Sequence, residues 1–315
     1  MRYTEWARKC RIGFAAMVGL GVFASYSDAA VFTFDPDGAG PLAPIAASGL
    51  DWGVGNSLAT SRVPITVGST FQQYYQATLA GVINGGGTTI APAGLNSTFE
   101  ITAVASVTQL VTSIATAGGS TTVRSQLAPT QANNSFVEIW YGATANASNL
   151  AGTGFNDGTR ILFAAPNATR PSVGNYSNAV SAGGGPILDS FDLFGADNYP
   201  NTRTLVGAGG LTFDGDVSNT DPAFFLSAVN AMSFNTSLVT PFQETDPSML
   251  FSGMPGGAAP AVAPALGAVN GVNGPDFQFQ ADANNTFTGI PEPLSSSVAL
   301  LSLSGLMLRR RTHRV

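Results

Sequence analysis

Residues 99–107, Phe-Glu-Ile-Thr-Ala-Val-Ala-Ser-Val, decide the fold class. Phe99, Ile101, Ala103, Ala105 and Val107 fall on one face of an extended chain. Glu100, Thr102 and Ser106 fall on the other, where Val104 is the exception. A two-residue period of this kind marks an antiparallel strand with one face on a core and one in water. Residues 136–141 (FVEIWY) form a second strand, whose aromatic and β-branched side chains suit a pleated surface covered on both sides. Outward from these two, residues 31–34, 71–82 and 277–281 read as strands. Residues 224–238 read as a strand pair around 232–234. Asn156-Asp157-Gly158 marks a tight turn between 150–155 and 159–164. Residues 81–94, with Gly85-Gly86-Gly87, read as a loop. Residues 253–275, rich in Ala, Gly and Pro, read as a long excursion within one domain. Short strands divided by Gly, Asn, Asp and Pro clusters predict an all-β fold, an antiparallel β-sandwich of jelly-roll type.

The two ends have a different texture. Arg2, Arg8, Lys9 and Arg11 precede an apolar run over 12–23, and Ser27-Asp28-Ala29 places small residues where a signal peptidase cuts. Residues 1–29 therefore read as a secretory signal helix cleaved after Ala29. At the other end, Pro291-Glu292-Pro293 is followed by an apolar run over 294–308 broken by five serines, then Arg309-Arg310-Arg311 and Arg314. Such a run reaches about 22 Å as a helix, short of the ~30 Å hydrocarbon core. The arginines hold it on the cytoplasmic side. A short transmembrane helix of this kind suits a temporary stop better than a permanent anchor. The division is thus 1–29 signal peptide, 30–290 ectodomain and 291–315 terminal signal.

Tripeptide, apolar run and arginine cluster in this order resemble the PEP-CTERM sorting signal of Gram-negative bacteria. The resemblance implies processing by an exosortase, a membrane-embedded cysteine transpeptidase. It also implies a transient stay in the inner membrane and delivery to the cell surface or the extracellular matrix. FDPDGAG (34–40), DWGVGNSLA (51–59), LAGTGFNDGTRI (150–161) and GPDFQFQADANNTF (274–287) are similar to phrases in a group of uncharacterised ectodomains of that class. Some surface proteins with the same tail are linked to flocculation and an exopolysaccharide matrix. By that analogy exopolysaccharide is a candidate partner.

Composition narrows the chemistry. Of the 13 Lys+Arg, four lie in residues 1–29 and four beyond residue 308, which leaves five, all arginine. Of the 19 Asp+Glu, only Glu5 and Asp28 precede residue 30, which leaves 17 and a formal charge of −12 over residues 30–293. The single cysteine, Cys10, belongs to the signal peptide and the single histidine, His313, to the tail. An ectodomain without Cys, His or Lys has no thiolate nucleophile, no imidazole base and no Schiff-base amine. Its acidity argues against nucleic acid as a partner. Carboxylate chemistry or none remains.

Asp214, Asp216 and Asp221 in FDGDVSNTD form an oxygen-rich stretch of the kind that binds calcium, although the EF-hand template fails at its sixth and twelfth positions. The competing reading is a solvated turn. Asp35 with Asp37, and Asp189 with Asp192 and Asp197, are weaker versions of the same pattern. Glu100 and Glu138 are the candidate pair for a carboxylate-dependent glycoside hydrolase, although no hydrolase motif surrounds them. Trp52, Tyr74, Tyr75 and Trp140 are candidates for stacking on sugar rings, against an ordinary place in the core. The reading favoured is an exported, non-catalytic surface or matrix protein with no cofactor beyond possible calcium. A carbohydrate-binding module is the alternative, and a hydrolase comes third.

Overall fold

The computed structural model describes residues 32–60, 66–117, 120–128, 135–149, 153–167, 173–179, 207–239 and 277–289. They form twelve strands and no helix: β1 (Phe32–Phe34), β2 (Ile45–Thr60), β3 (Thr70–Asn84), β4 (Thr89–Ile90), β5 (Glu100–Ala117), β6 (Ser120–Leu127), β7 (Phe136–Gly142), β8 (Thr159–Pro166), β9 (Val173–Ala179), β10 (Gly207–Thr220), β11 (Val229–Val239) and β12 (Phe277–Gly289). The signal helix, the transmembrane helix, the sorting tripeptide and Asp189, Asp192 and Asp197 lie outside the described residues, as does the 253–275 excursion.

All strands belong to one antiparallel sheet that closes on itself. From β2 the circuit runs through β3 to β5, and from β10 through β11 to β12, which pairs back onto β2. Between β5 and β10 the sheet has two staves, each made of two strands laid end to end. Along one edge of β5, residues 100–106 face β7 and residues 109–117 face β6. Along one edge of β10, residues 207–212 face β9 and residues 215–220 face β8. In the chain, β6 leads into β7 and β8 into β9 without reversing direction. The first break is pinned by Thr108, whose N–H donates to Ser135 Oγ (2.9 Å) and whose carbonyl accepts from Ala128 N–H (2.9 Å). The second is pinned by Asn167 N–H, which donates to the Asp214 carbonyl (2.9 Å).

The outcome is an eight-stave barrel in which neighbours follow chain order. The expected all-β antiparallel packing is present, with the two halves of the sheet facing one another over a shared core. The connectivity is an up-and-down meander, in place of the Greek-key crossovers that a jelly roll requires. Most consecutive strands are close in sequence, which favours pairing each with the next, although β10 and β12 follow longer connections, from Ala179 to Gly207 and from Val239 to Phe277.

Eight staves enclose a space that side chains just fill. Trp52, Leu79, Ile101, Ile139, Phe213 and Phe234 are among the largest side chains sealed there. Tyr75 of β3 meets Phe234 of β11 edge to face across the interior, with ring centroids 5.5 Å apart. One pole is stoppered by β1. Phe32 packs on Phe225 and Phe287 and Phe34 on Phe225, with centroids 4.7 to 5.8 Å apart. Burying each such ring contributes roughly 1.5–3 kcal/mol. Toward the other pole the interior turns polar: Ser125 donates to Gln109, Gln109 to Gln73 and Gln73 to Ser57. On β12 the inward Ala281, Ala283 and Phe287 are buried, and the outward Asp282, Asn284, Thr286 and Thr288 are exposed.

Several local expectations are corrected. β5 has the predicted inward face, but its outward Glu100, Thr102, Val104 and Ser106 are also at most 4 % exposed. The connection from β7 to β8 folds over the first three: Thr102 Oγ1 donates to the Phe155 carbonyl (2.6 Å), and Phe155 packs with Val104, whereas Ser106 Oγ accepts from Gln72 Nε2 (2.6 Å). FDGDVSNTD is mostly strand β10 rather than a loop. Residues 229–239 make one strand rather than a pair, and β3 runs on to Asn84 where a loop was expected. Residues 153–155 lie in a turn rather than a strand.

Candidate functional site

Glu138 sits on the outer wall of β7 and is 1 % exposed. Arg160 of β8 reaches it with an Nη1–Oε1 contact of 2.6 Å, and the Trp140 indole N–H donates to Oε2 (3.2 Å). The guanidinium also lies 5.2 Å from the Phe163 ring centre. Around this pair is a second, smaller apolar cluster of Val104, Phe136 and Phe155, flanked by Tyr74, Trp140, Ala147 and Phe163. Burial raises the Glu138 carboxyl above the ordinary glutamate range, opposed by Arg160 and the indole.

Glu100 is spent differently. Its Oε2 accepts from the backbone N–H groups of Asn146 (3.1 Å) and Ala147 (2.9 Å), and so fastens the β7–β8 connection to β5. Burial raises this carboxyl too, against those two N–H groups and with a push from Asp157. Glu100 stands opposite Gly142, and Glu138 opposite Val104. Four residues along a sheet is about 13 Å. Glycosidase pairs stand roughly 5–5.5 or 6.5–9.5 Å apart, so these two do not flank a common bond.

The remaining candidates are dispersed as well. Trp52 and Tyr75 are 1 % and 2 % exposed inside the barrel, and the Trp52 indole N–H donates to Asn285 Oδ1 (2.8 Å). Tyr74 and Trp140 are half-buried at the rim of the outer cluster. Asp214 and Asp216 project from the outer wall of β10, where Asn167 Nδ2 donates to Asp216 Oδ1 (2.5 Å). Asp221 lies beyond the strand end and caps a turn, its Oδ1 accepting from Ala223 N–H (2.9 Å). Five residues of extended chain put Asp216 and Asp221 roughly 15 Å apart, so the three aspartates do not converge on one ion. Asp35 and Asp37 cap their own turn: Asp35 accepts from Asp37 and Ala39 N–H, and Asp37 from Leu42 N–H.

One concave feature was not anticipated. A groove of about 580 Å³ crosses the outer wall where β6, β9, β10 and β11 lie side by side. Cross-strand register builds it from two rows. Arg124, Asn175 and Gly210 form one row, and Gln126, Val173, Thr212 and Asn235 the other. Thr212 Oγ1 donates to Asn235 Oδ1 (2.8 Å), which fixes that amide and leaves its Nδ2 to donate. Arg124 and Arg160 are the only cations among the described residues. Arg160 is paired, whereas Arg124 is exposed and has no acidic partner among the described residues. In sequence, only the scarcity of arginine marked Arg124. The amides that join it come from strands 50 to 110 residues away.

No family model matches this chain, and no curated protein or solved structure matches it either.

Proposed function

We propose that the chain is an exported, non-catalytic cell-surface or matrix protein, sorted through residues 291–315, and that the barrel is its displayed part. The observation carrying this reading is where the barrel begins and ends. β1 starts at Phe32, just after Ala29, and the ring-closing β12 ends at Gly289, just before Pro291. A cut after Ala29 and a cut at the tripeptide both spare every paired strand among the described residues. Processing would release a complete barrel, with no stave opened. The exosortase, the passage through the inner membrane and the matrix destination follow from the resemblance of the tail. The test is mass spectrometry of surface protein from the native host. Peptides ending near Pro293 are expected, and peptides reaching Val315 would make the tail an ordinary anchor. Glu292→Ala is expected to accumulate the longer, membrane-bound form.

A second reading, a carbohydrate-binding module of the matrix, draws support from the polar groove rather than from the aromatic residues. Trp52 and Tyr75 are sealed in the core. The hydrolase reading gains nothing from the geometry of Glu100 and Glu138.

A further inference from the structure

We propose that the groove over β6, β9, β10 and β11 binds a carboxylated polysaccharide, with Arg124 taking a sugar carboxylate and Gln126, Asn175, Thr212 and Asn235 taking hydroxyls. The inference rests on the carbohydrate-binding reading and deepens it by naming the ligand's charge and the residues that meet it. Three observations carry it.

The first is the donor set. Amides and hydroxyls present paired donors and acceptors, the complement of vicinal sugar hydroxyls, and a guanidinium binds a carboxylate through two parallel N–H groups. Among the described residues, no aromatic side chain lines the groove. The site is therefore a hydrogen-bonding one rather than a stacking platform.

The second is charge. Residues 30–293 carry a formal charge of −12, and a protein of this sign repels acidic polymers everywhere except at an unpaired cation. Arg124 is that cation among the described residues, and it lies on the floor of the concavity. A neutral glycan has no use for it.

The third is shape and place. Four adjacent strands span about 14 Å, and the groove is open, so a polymer can lie across it without its ends being enclosed. Gly210 keeps the floor low. A Cβ there would stand 2.1 Å from the Thr236 carbonyl oxygen, so the close approach of β11 itself requires glycine. Thr212 and Thr220 are eight residues apart on β10, roughly 26 Å. Thr220 lies toward the stoppered pole, where β1 starts and β12 ends. The groove thus lies well away from the end at which the tail leaves the barrel.

The test uses protein purified from the native host in whichever processed form it takes, so it is independent of the sorting reading. Binding is measured by affinity electrophoresis and calorimetry with polygalacturonate, dextran and polyglutamate. Polygalacturonate is expected to bind, with affinity falling as salt rises, and dextran is not. R124Q is expected to weaken binding tenfold or more with the melting temperature unchanged, because its side chain is exposed, and N235A to weaken binding severalfold with a slightly lower melting temperature, because the Thr212 hydrogen bond is lost. Absence of polygalacturonate binding, undiminished binding by R124Q, or equal binding of dextran would overturn the proposal. Polyglutamate binding as tightly as polygalacturonate would reduce the groove to a charge-only site and overturn it too. None of these results bears on where the tail is cut.

Discussion

Arg160→Leu is the sharpest probe of the barrel wall. The substitution keeps a side chain over Phe163 but removes the charge 2.6 Å from Glu138, a carboxylate only 1 % exposed. The Arg160 side chain is 36 % exposed, so water partly replaces it and breaking the pair costs roughly 2–3 kcal/mol, less than the ~3–5 kcal/mol of a fully buried pair. The protein has one escape, which is to protonate Glu138. Neutralising a glutamate costs about 1.4 kcal/mol for each unit by which pH exceeds about 4.3, so the escape costs ~3.7 kcal/mol at pH 7 and ~1 kcal/mol at pH 5. The loss is therefore expected to be about 2–3 kcal/mol at pH 7 and to shrink to about 1 kcal/mol at pH 5. Against a total stability of roughly 5–15 kcal/mol this is a large fraction. Urea unfolding followed by tryptophan fluorescence, at both pH values, measures it. A double change, Glu138→Leu with Arg160→Leu, should recover most of the loss, since apolar replacement of a buried pair is often neutral. A loss below about 1 kcal/mol at pH 7, or one equal at the two pH values, would refute the reasoning.

Other outcomes follow from the same structure. Glu100→Ala should cost about 1–3 kcal/mol by stranding the Asn146 and Ala147 N–H groups, and hydrogen exchange should quicken at those two amides. Trp52→Phe should cost a similar ~1–3 kcal/mol, read by thermal melting, because Asn285 Oδ1 is buried and loses its donor. The pH profile of the wild-type protein should favour mild acid. Glu138, Glu100, Asp37 and Asp282 all have folded-state carboxyls raised above their ordinary values, chiefly by burial. A raised carboxyl stabilises fully below its unfolded pKa, and the contribution is lost as pH rises through the folded one. Unfolding free energy should therefore be higher near pH 5 than near pH 8, and a flat or opposite profile would show that these groups do not dominate.

The covered outer face of β5 shows where reading the sequence ends. Alternation put Ile101, Ala103, Ala105 and Val107 inside correctly, because period-2 patterning depends only on the chain itself. The same pattern put Glu100, Thr102 and Ser106 in water. There it fails, because the β7–β8 connection, more than 40 residues further on, covers Glu100 and Thr102, and Gln72 of β3 donates to Ser106. Val104, the one break in the pattern, was the signal: it is the β5 member of the outer apolar cluster.

Strands rich in aromatic and β-branched residues, such as β7 and the middle of β3, were legible because their side chains favour a pleated surface in any context. β2 (IAASGLDWGVGNSLAT) and β10 (GAGGLTFDGDVSNT) were not, since glycine, aspartate and asparagine locally favour turns. They are strands because the barrel closes around them. At Gly55 a Cβ would stand 2.2 Å from the Gln76 carbonyl oxygen, and at Gly49 2.4 Å from that of Asn285. Glycine there permits close approach of a neighbouring backbone rather than reversal of the chain.

The sequence by itself determined the all-β class, the inward faces of its hydrophobic strands, and the acidic charge of residues 30–293, which hold no Cys, His or Lys. These properties are local or compositional. Tertiary structure alone decided the meander closure, the separation of Glu100 from Glu138 and of Asp216 from Asp221, and the meeting of Arg124 with Asn175 and Asn235. Each of these is a matter of register between strands distant in sequence, and register is set by how the whole sheet closes.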